Sequence, residues 1–343
     1  MRSKDVLASE VDLIAAMSRE FGPAPPEVIL GIGDDCAALA LDDGRLLLWT
    51  VDTLVAGVHF DLAYMTLTQL GWKALVVNVS DVAAMGGEPK QALLSLVWPP
   101  GLDRALALEF ARGLARAGRD YGVAIIGGDT VTSPGGLAVT ITLTGVVPAS
   151  QMVRRAGAQV GDLIYVTGYL GEAAAGLEIL RRGLELDSGL AGPLIEAHLA
   201  PRPQVRAGRL LGREGLATAM IDLSDGVASD LAHICRASGV GARLPAATVP
   251  VSPRVAAAAP ALSQAPLELA LTGGEDYQLL FTAPPANAQA LAAAFSRAEL
   301  PPPLPLGEIV AAPGVLLISA GRAEDIAGRG FDHFRLDREA EEI

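Results

Sequence analysis

Ala74-Leu75-Val76-Val77-Asn78-Val79-Ser80-Asp81-Val82-Ala83-Ala84-Met85 sets one carboxylate inside a long apolar run. The segment 66–85 is long enough for a helix, and Gly86-Gly87 ends it. Apolar residues on most sides mark that helix as buried. Left unpartnered there, Asp81 would cost roughly several kcal/mol unless neutralised or coordinated. Asn78, at i−3, brings another oxygen to the same face. An Arg arriving from elsewhere would answer the need as a plain salt bridge; a cation shared among several oxygens would answer it too.

Around this helix the chain alternates strand-like and helix-like segments. Ser9 and Asp12 resemble a helix start, and Leu13, Ile14, Met17 and Phe21 follow at helical spacing before Gly22-Pro23. Short apolar runs at 45–51, 91–98 and 123–126 read as strands, the last leading into Gly127-Gly128-Asp129-Thr130 as a turn. Asp103 caps a helix to about Asp120, and 137–147 alternates as a strand should. Pro148-Ala149-Ser150 is the expected boundary, dividing the chain into 1–148 and 149–343. Beyond it, strands are expected at 163–167, 217–223, 277–282 and 314–319, with helices after Gly171 and after Gly226 that stop near Gly183 and Gly239. The proline-rich stretches 245–266 and 301–305 read as surface loops.

Aspartates fall at telling places. Asp34-Asp35 follow Gly31-Ile32-Gly33; Asp52 and Asp129 end strands; Asp222 and Asp225 flank Leu223-Ser224 at the end of another. Taken singly, each is well explained by capping and turn chemistry. Taken together with Asp81, seven carboxylates converging on one place would require cations. Without a His/Cys cluster at zinc spacing, the ligands are oxygen only, so Mg²⁺ or Mn²⁺ is the expected guest, with several ions bridging phosphates.

Composition removes other classes. The 343 residues suggest two domains, and 51% hydrophobic residues are enough for a large core. With 26 Lys and Arg against 39 Asp and Glu, the net charge of −13 repels nucleic acid and anionic membranes. No apolar run reaches membrane-spanning length, and the start of the chain lacks a signal-peptide pattern. Two cysteines, Cys36 and Cys235, suit a reducing compartment, so a cytoplasmic protein is expected. Lys4, Lys73 and Lys90 are the only lysines, and none stands in a phosphate-binding G-x-x-x-x-G-K loop. Protein-kinase motifs, a complete dinucleotide fingerprint and a Gly-x-Ser-x-Gly elbow are all missing.

Eight segments, in order, resemble the thiamine-monophosphate kinase family. They are Gly31-Ile32-Gly33-Asp34-Asp35-Cys36-Ala37, 52–60, 78–87, Gly127-Gly128-Asp129-Thr130, Arg155-Ala156-Gly157-Ala158, Asp222-Leu223-Ser224-Asp225-Gly226, Gly273-Gly274-Glu275-Asp276-Tyr277 and Gly330-Phe331-Asp332-His333-Phe334. The resemblance implies the aminoimidazole ribonucleotide synthetase-like superfamily: two α+β domains, ATP in a cleft, and a homodimer formed through the N-terminal sheets. It further implies ATP-dependent phosphorylation of thiamine monophosphate to the diphosphate, by direct transfer without a phosphoenzyme.

Residue roles follow from the same resemblance. Asp34, Asp52, Asp81, Asp129, Asp222 and Asp225 would hold Mg²⁺, with Thr50 and the backbone of Val51 completing the shells. Gly128, Asp129, Arg155 and Ser224 would contact ATP, with Asp129, Arg155 and Asp225 serving catalysis, and His59, Glu275 and Phe331 would face thiamine. Val51 stands where the family usually has a hydroxyl residue, which matters only if that ligand is not its carbonyl. The chemistry agrees, because phosphoryl transfer asks for alignment and charge neutralisation rather than a protein nucleophile. Within the superfamily, an amide-activating synthetase and a selenophosphate-forming enzyme are the rivals; no Cys precedes Asp34, which argues against the latter. A non-catalytic nucleotide- or metal-binding regulator is the rival from another class.

Overall fold

A computed structural model describes residues 10–331. Ser9 and the stretch Asp332-His333-Phe334 lie outside the described residues. After α1 (Glu10–Glu20), the first half builds a six-stranded sheet from β1 (Val28–Leu30), β2 (Ala37–Ala40), β3 (Arg45–Val55), β4 (Glu88–Trp98), β5 (Ala124–Thr132) and β6 (Ala138–Pro148). The strand order is β1-β2-β3-β6-β4-β5, with β3 and β6 antiparallel over eleven residues and β5 parallel to β4. Two helices, α2 (Leu67–Ala84) and α3 (Arg104–Tyr121), cover one face.

Local chemistry accounts for these helices. Thr66 and Gln69 form a capping box on α2, Asp103 accepts from Leu106 N–H at the start of α3, and left-handed Gly122 ends α3. The two helices pack closely because glycines meet there. A Cβ at Gly71 would lie 2.1 Å from Phe110 O, and one at Gly113 only 1.9 Å from Thr68 O.

The second half holds a seven-stranded sheet in the order β13-β12-β9-β11-β7-β10-β8. Its strands are β7 (Leu163–Val166), β8 (Ala219–Asp222), β9 (Gly241–Pro245), β10 (Leu279–Ala283), β11 (Leu304–Val310), β12 (Gly314–Ser319) and β13 (Arg322–Asp325). Its helices are α4 (Glu172–Arg182), α5 (Ser188–Leu199), α6 (Val205–Glu214), α7 (Val227–Ser238), α8 (Pro253–Ala258), α9 (Pro266–Thr272) and α10 (Ala288–Arg297). The two halves share helix α2. Its Leu70, Leu75, Val79 and Val82 join the core of the first sheet, while Ala83 and Ala84 join a cluster with Leu211 on α6, Met220 on β8 and Leu279 on β10. A helix pressed between two layers has no solvent face, which is why its sequence is apolar all round.

Several expected elements change shape. β3 continues past Val51 to Val55, so Asp52 is an interior strand residue rather than a strand end. β5 runs through Gly127-Gly128-Asp129-Thr130, where a turn is expected from sequence. The glycines there serve strand packing: a Cβ on Gly128 would lie 1.8 Å from Leu94 O on β4. The proline-rich stretch 245–266 contains helix α8, with Ser252 capping it and Pro253 in its first turn, where a missing N–H costs nothing.

Glycine substitutions test this packing. Gly113→Ala should lower stability by about 1–3 kcal/mol in urea unfolding, since the new methyl meets backbone. Gly192→Ala, on α5 with nothing within 4 Å of its Cβ position, should be neutral or stabilise by up to ~1 kcal/mol. Equal effects at the two positions would refute the close-approach explanation.

Candidate active site

Asp35, Asp81 and Asp222 each offer one carboxylate oxygen, and the three oxygens lie within 4.8 Å of one another. Asp35 comes from the turn between β1 and β2, Asp81 from the last turn of α2, and Asp222 from the end of β8. Both halves of the molecule therefore contribute to one acidic point. Asp35 and Asp222 are buried and Asp81 is half-buried.

Hydrogen bonds hold the surroundings. Thr50 Oγ1 donates to Asp81 Oδ2 at 2.5 Å. Asn78 does not aim its oxygen at the cluster: Oδ1 accepts from Asp52 N–H at 3.1 Å and so fixes β3 against α2. Arg155 Nη2 and Nε reach Asp35 Oδ1 at 2.6 and 3.2 Å, while the Arg155 N–H donates to Asp34 Oδ2 at 3.1 Å. The arginine needed to balance the acids thus arrives, but it engages Asp35 and not Asp81. Asp35 Oδ2 and Asp222 Oδ2 remain buried without a hydrogen-bond partner.

Proton affinities follow from this crowding. Burial first, and then the neighbouring Asp35 charge, push the Asp34 and Asp52 carboxyls up to about 6 and Asp222 up to about 8. Asp81 is raised well above the carboxylate range by burial and by Asp52 and Asp222. Asp35 is raised by burial although Arg155 pulls the other way. An all-oxygen donor set, two orphaned buried oxygens and several carboxyls resisting ionisation fit a hard divalent cation.

The remaining sequence candidates lie at graded distances from this point. Ser224 and Asp225 form the turn after β8, and Asp225 and Gly226 N–H donate to buried Asp230 Oδ2 at 3.2 and 3.1 Å. Phe331, far away in sequence, donates its N–H to Asp225 O at 3.3 Å, and its side chain is exposed rather than part of the core. His59 follows β3, and its Nδ1 accepts from Val55 N–H at 3.0 Å. Val51 is exposed between buried Thr50 and half-buried Asp52, so its side chain lies on the other face of β3. Gly128 and Asp129 sit on exposed β5, outside the three-carboxylate group. Of the seven acids singled out from sequence, three meet, with Asp34 and Asp52 beside them in electrostatic reach.

Glu275 has a setting the motif does not suggest. Its Oε1 is 2.6 Å from Lys73 Nζ and its Oε2 is 2.8 Å from His198 Nδ1. Burial alone would raise its carboxyl, but Lys73 and His198 bring it down to about 2. Sequence reasoning passes over Lys73, His198 and Asp230. Lys73 carried a signal, a charge on the same apolar helix as Asp81; His198 carried none.

Two family descriptions divide the chain between them: AIR synthase related protein, N-terminal domain, at residues 33–147, and AIR synthase related protein, C-terminal domain, at 159–318. The fold is thus the two-domain α+β architecture of AIR synthase related proteins. Thiamine-monophosphate kinase from Escherichia coli strain K12 is 40% identical over 327 residues, 95% of this chain and 98% of that one. Among solved structures, AaThiL complexed with AMPPCP and TMP superposes with a TM-score of 0.82 at 32% identity, over 97% of this chain and 99% of the other. Thiamine-monophosphate kinase from Stenotrophomonas maltophilia K279a gives 0.74 at 34% identity, over 92% and 96%. The chain belongs to the thiamine-monophosphate kinase family.

The raised carboxyls make a signed prediction for the metal-free protein. Acids whose folded values lie near 6 and 8, against an ordinary 3.8, contribute stability that is complete below about pH 4. That contribution disappears as pH rises through 6 to 8. Melting temperature in chelator should therefore fall between pH 5 and pH 8, and Mg²⁺ at pH 8 should restore it. Asp222→Asn should raise the metal-free melting temperature at pH 8; a lowered one would contradict the repulsion argument.

Proposed function

We propose that this protein transfers the γ-phosphoryl group of ATP to the phosphate of thiamine monophosphate, giving ADP and thiamine diphosphate. The observation that carries the proposal is the carboxylate group assembled from both domains, with two buried oxygens unsatisfied, in a chain of this family. The relative solved with AMPPCP and TMP supports both substrates, a nucleotide analogue and a thiamine monophosphate.

Asp35, Asp81 and Asp222 would hold Mg²⁺, with Asp34 and Asp52 next to them, Asp225 on the turn that follows Asp222, and Asp129 reaching the substrates from β5. Bound there, the metal supplies charge neutralisation between two phosphate-bearing reactants. This chain's own residues do the rest. Asp35 holds the Arg155 guanidinium, a planar fork suited to phosphate oxygens. Asp230 shapes the Ser224-Asp225 turn through its two backbone hydrogen bonds. Gly128 lets the backbone approach closely, and His59 and Phe331 provide flat surfaces for the thiamine rings. A phosphate oxygen of thiamine monophosphate attacks the γ-phosphorus in line, the bond to ADP breaks, and no protein nucleophile takes part.

The same proposal extends to organisation. The division into 1–148 and 149–343 agrees with the first sheet ending at Pro148 and the second beginning at Leu163. A homodimer through the first sheet is supported by its uncovered face, where Trp49, Val51 and Val55 on β3, Leu93 on β4 and Val131 on β5 are exposed. Cys36 and Cys235 are free and buried, in keeping with a reducing, cytoplasmic setting. No described helix is long and apolar enough to cross a membrane.

ADP release from ATP and Mg²⁺ should require thiamine monophosphate and stop in chelator. A regulator would instead bind nucleotide with no substrate-dependent turnover, which would end the kinase reading. Phe331→Ala should raise KM for thiamine monophosphate about tenfold, equivalent to ~1.4 kcal/mol of lost stacking and cation–π attraction. Because the side chain is 48% exposed, the melting temperature should barely move. A large stability loss with KM intact would reassign Phe331 to structure.

A further inference from the structure

Lys73 is completely buried in α2, a helix otherwise almost free of charge. A lysine there persists because a carboxylate meets it, and that carboxylate is Glu275 at 2.6 Å. His198, 1% exposed near the end of α5, sets its Nδ1 2.8 Å from the other oxygen of the same carboxylate, and burial lowers its proton affinity, so it packs there as a neutral ring. Glu275 is thus gripped from two helices while its backbone sits at φ +66, and Tyr277 two residues on sits at φ +46. These are two of the four non-glycine residues with positive φ among the described residues, and L-residues rarely occupy that region.

The segment held in this way lies against the acidic turn. Glu275 N–H donates to Ser224 O at 2.8 Å and Tyr277 N–H to Leu223 O at 2.9 Å. A Cβ on Gly274 would come within 2.3 Å of Ser224 O, so the two backbones have no slack between them. Any relaxation of 274–277 moves Ser224 and, with it, Asp222 and Asp225 on either side. We propose that Lys73 and His198 are positioning residues that act through Glu275, fixing the 273–278 segment and thereby the Asp222–Asp225 turn. Helix α2 then sets the acidic site from two points, Asp81 near its end and Lys73 two turns earlier. The kinetic half of this proposal rests on the phosphoryl-transfer reading; the structural half does not.

The test compares Lys73→Met, Glu275→Gln and the double variant, whose neutral pair leaves no buried charge uncompensated. Amide hydrogen exchange in the double variant should show protection at Glu275 and Tyr277 falling at least ~10-fold while Leu280 and Phe281 in β10 stay protected. Each single variant should lower kcat by ~10–100-fold, as small misplacements do, with KM for ATP little changed. The double variant should be no worse than the worse single one, because both residues act through one carboxylate. Wild-type protection at Glu275 and Tyr277 in the double variant would overturn the proposal. So would multiplied kcat losses, or lost protection with kcat unchanged. Absence of wild-type turnover with thiamine monophosphate would instead sink the function assignment, and the exchange result alone would then decide the positioning claim.

Discussion

Carboxylates brought together from two domains are the constraint around which this molecule is built. Asp35 and Asp81 come from the first half and Asp222 from the second, and their oxygens approach within 4.8 Å in a largely buried setting. Like charges so placed repel strongly and resist ionisation. Among the described residues the counter-charge that reaches this point is Arg155, which engages Asp35 and leaves one oxygen of that residue and one of Asp222 without a hydrogen bond. Such a point weakens the empty protein, and in the proposed function a divalent cation with its phosphate ligands would relieve it. Function is thereby purchased with stability at the seam between domains.

Helix α2 makes the arrangement possible. It belongs to the core of the first sheet yet also packs on α6, β8 and β10 of the second half. A Cβ on Gly208 of α6 would lie 2.0 Å from Ala83 O, so that contact is made backbone to backbone. Rigid docking of this kind lets Asp81 face Asp222 at a defined separation. The same helix carries the opposite electrostatic solution two turns away, where Lys73 and Glu275 form a neutralised pair. One junction across the seam brings opposite charges together; the other gathers like charges, for which the cation of the proposed function would be the answer.

Much of this was legible in the residues. The apolar run around Asp81 marks a buried helix with a chemical need, and α2 spans Leu67–Ala84, within the expected 66–85 and ending before Gly86-Gly87. Strand β12 occupies 314–319, as its apolar run indicates. What sequence reading missed has physical causes. Asp129 looks like a turn residue because Gly-Gly precedes it, whereas those glycines relieve a clash with β4 and let the strand continue. Asn78 shares a face with Asp81, but spacing says nothing about which donor comes to meet it, and the donor is the Asp52 backbone. The partnerships of Lys73, His198 and Glu275 join residues up to 202 positions apart, from 73 to 275, and no local pattern encodes them. Helix α5 is hard to read from sequence because Pro193 lies inside it, whereas α6 (Val205–Glu214) is regular and amphipathic and has no such obstacle, yet the expectations from sequence do not include it.

The account stands on the claim that the interdomain carboxylates hold a divalent cation. Crystals of the protein grown with Mn²⁺ and a non-hydrolysable ATP analogue, measured at the manganese absorption edge, address it directly. The prediction is an anomalous peak ~2.0–2.3 Å from oxygens of Asp35, Asp81 and Asp222. Manganese peaks confined to other carboxylates, with those three residues protonated or bridged only by water, would contradict it.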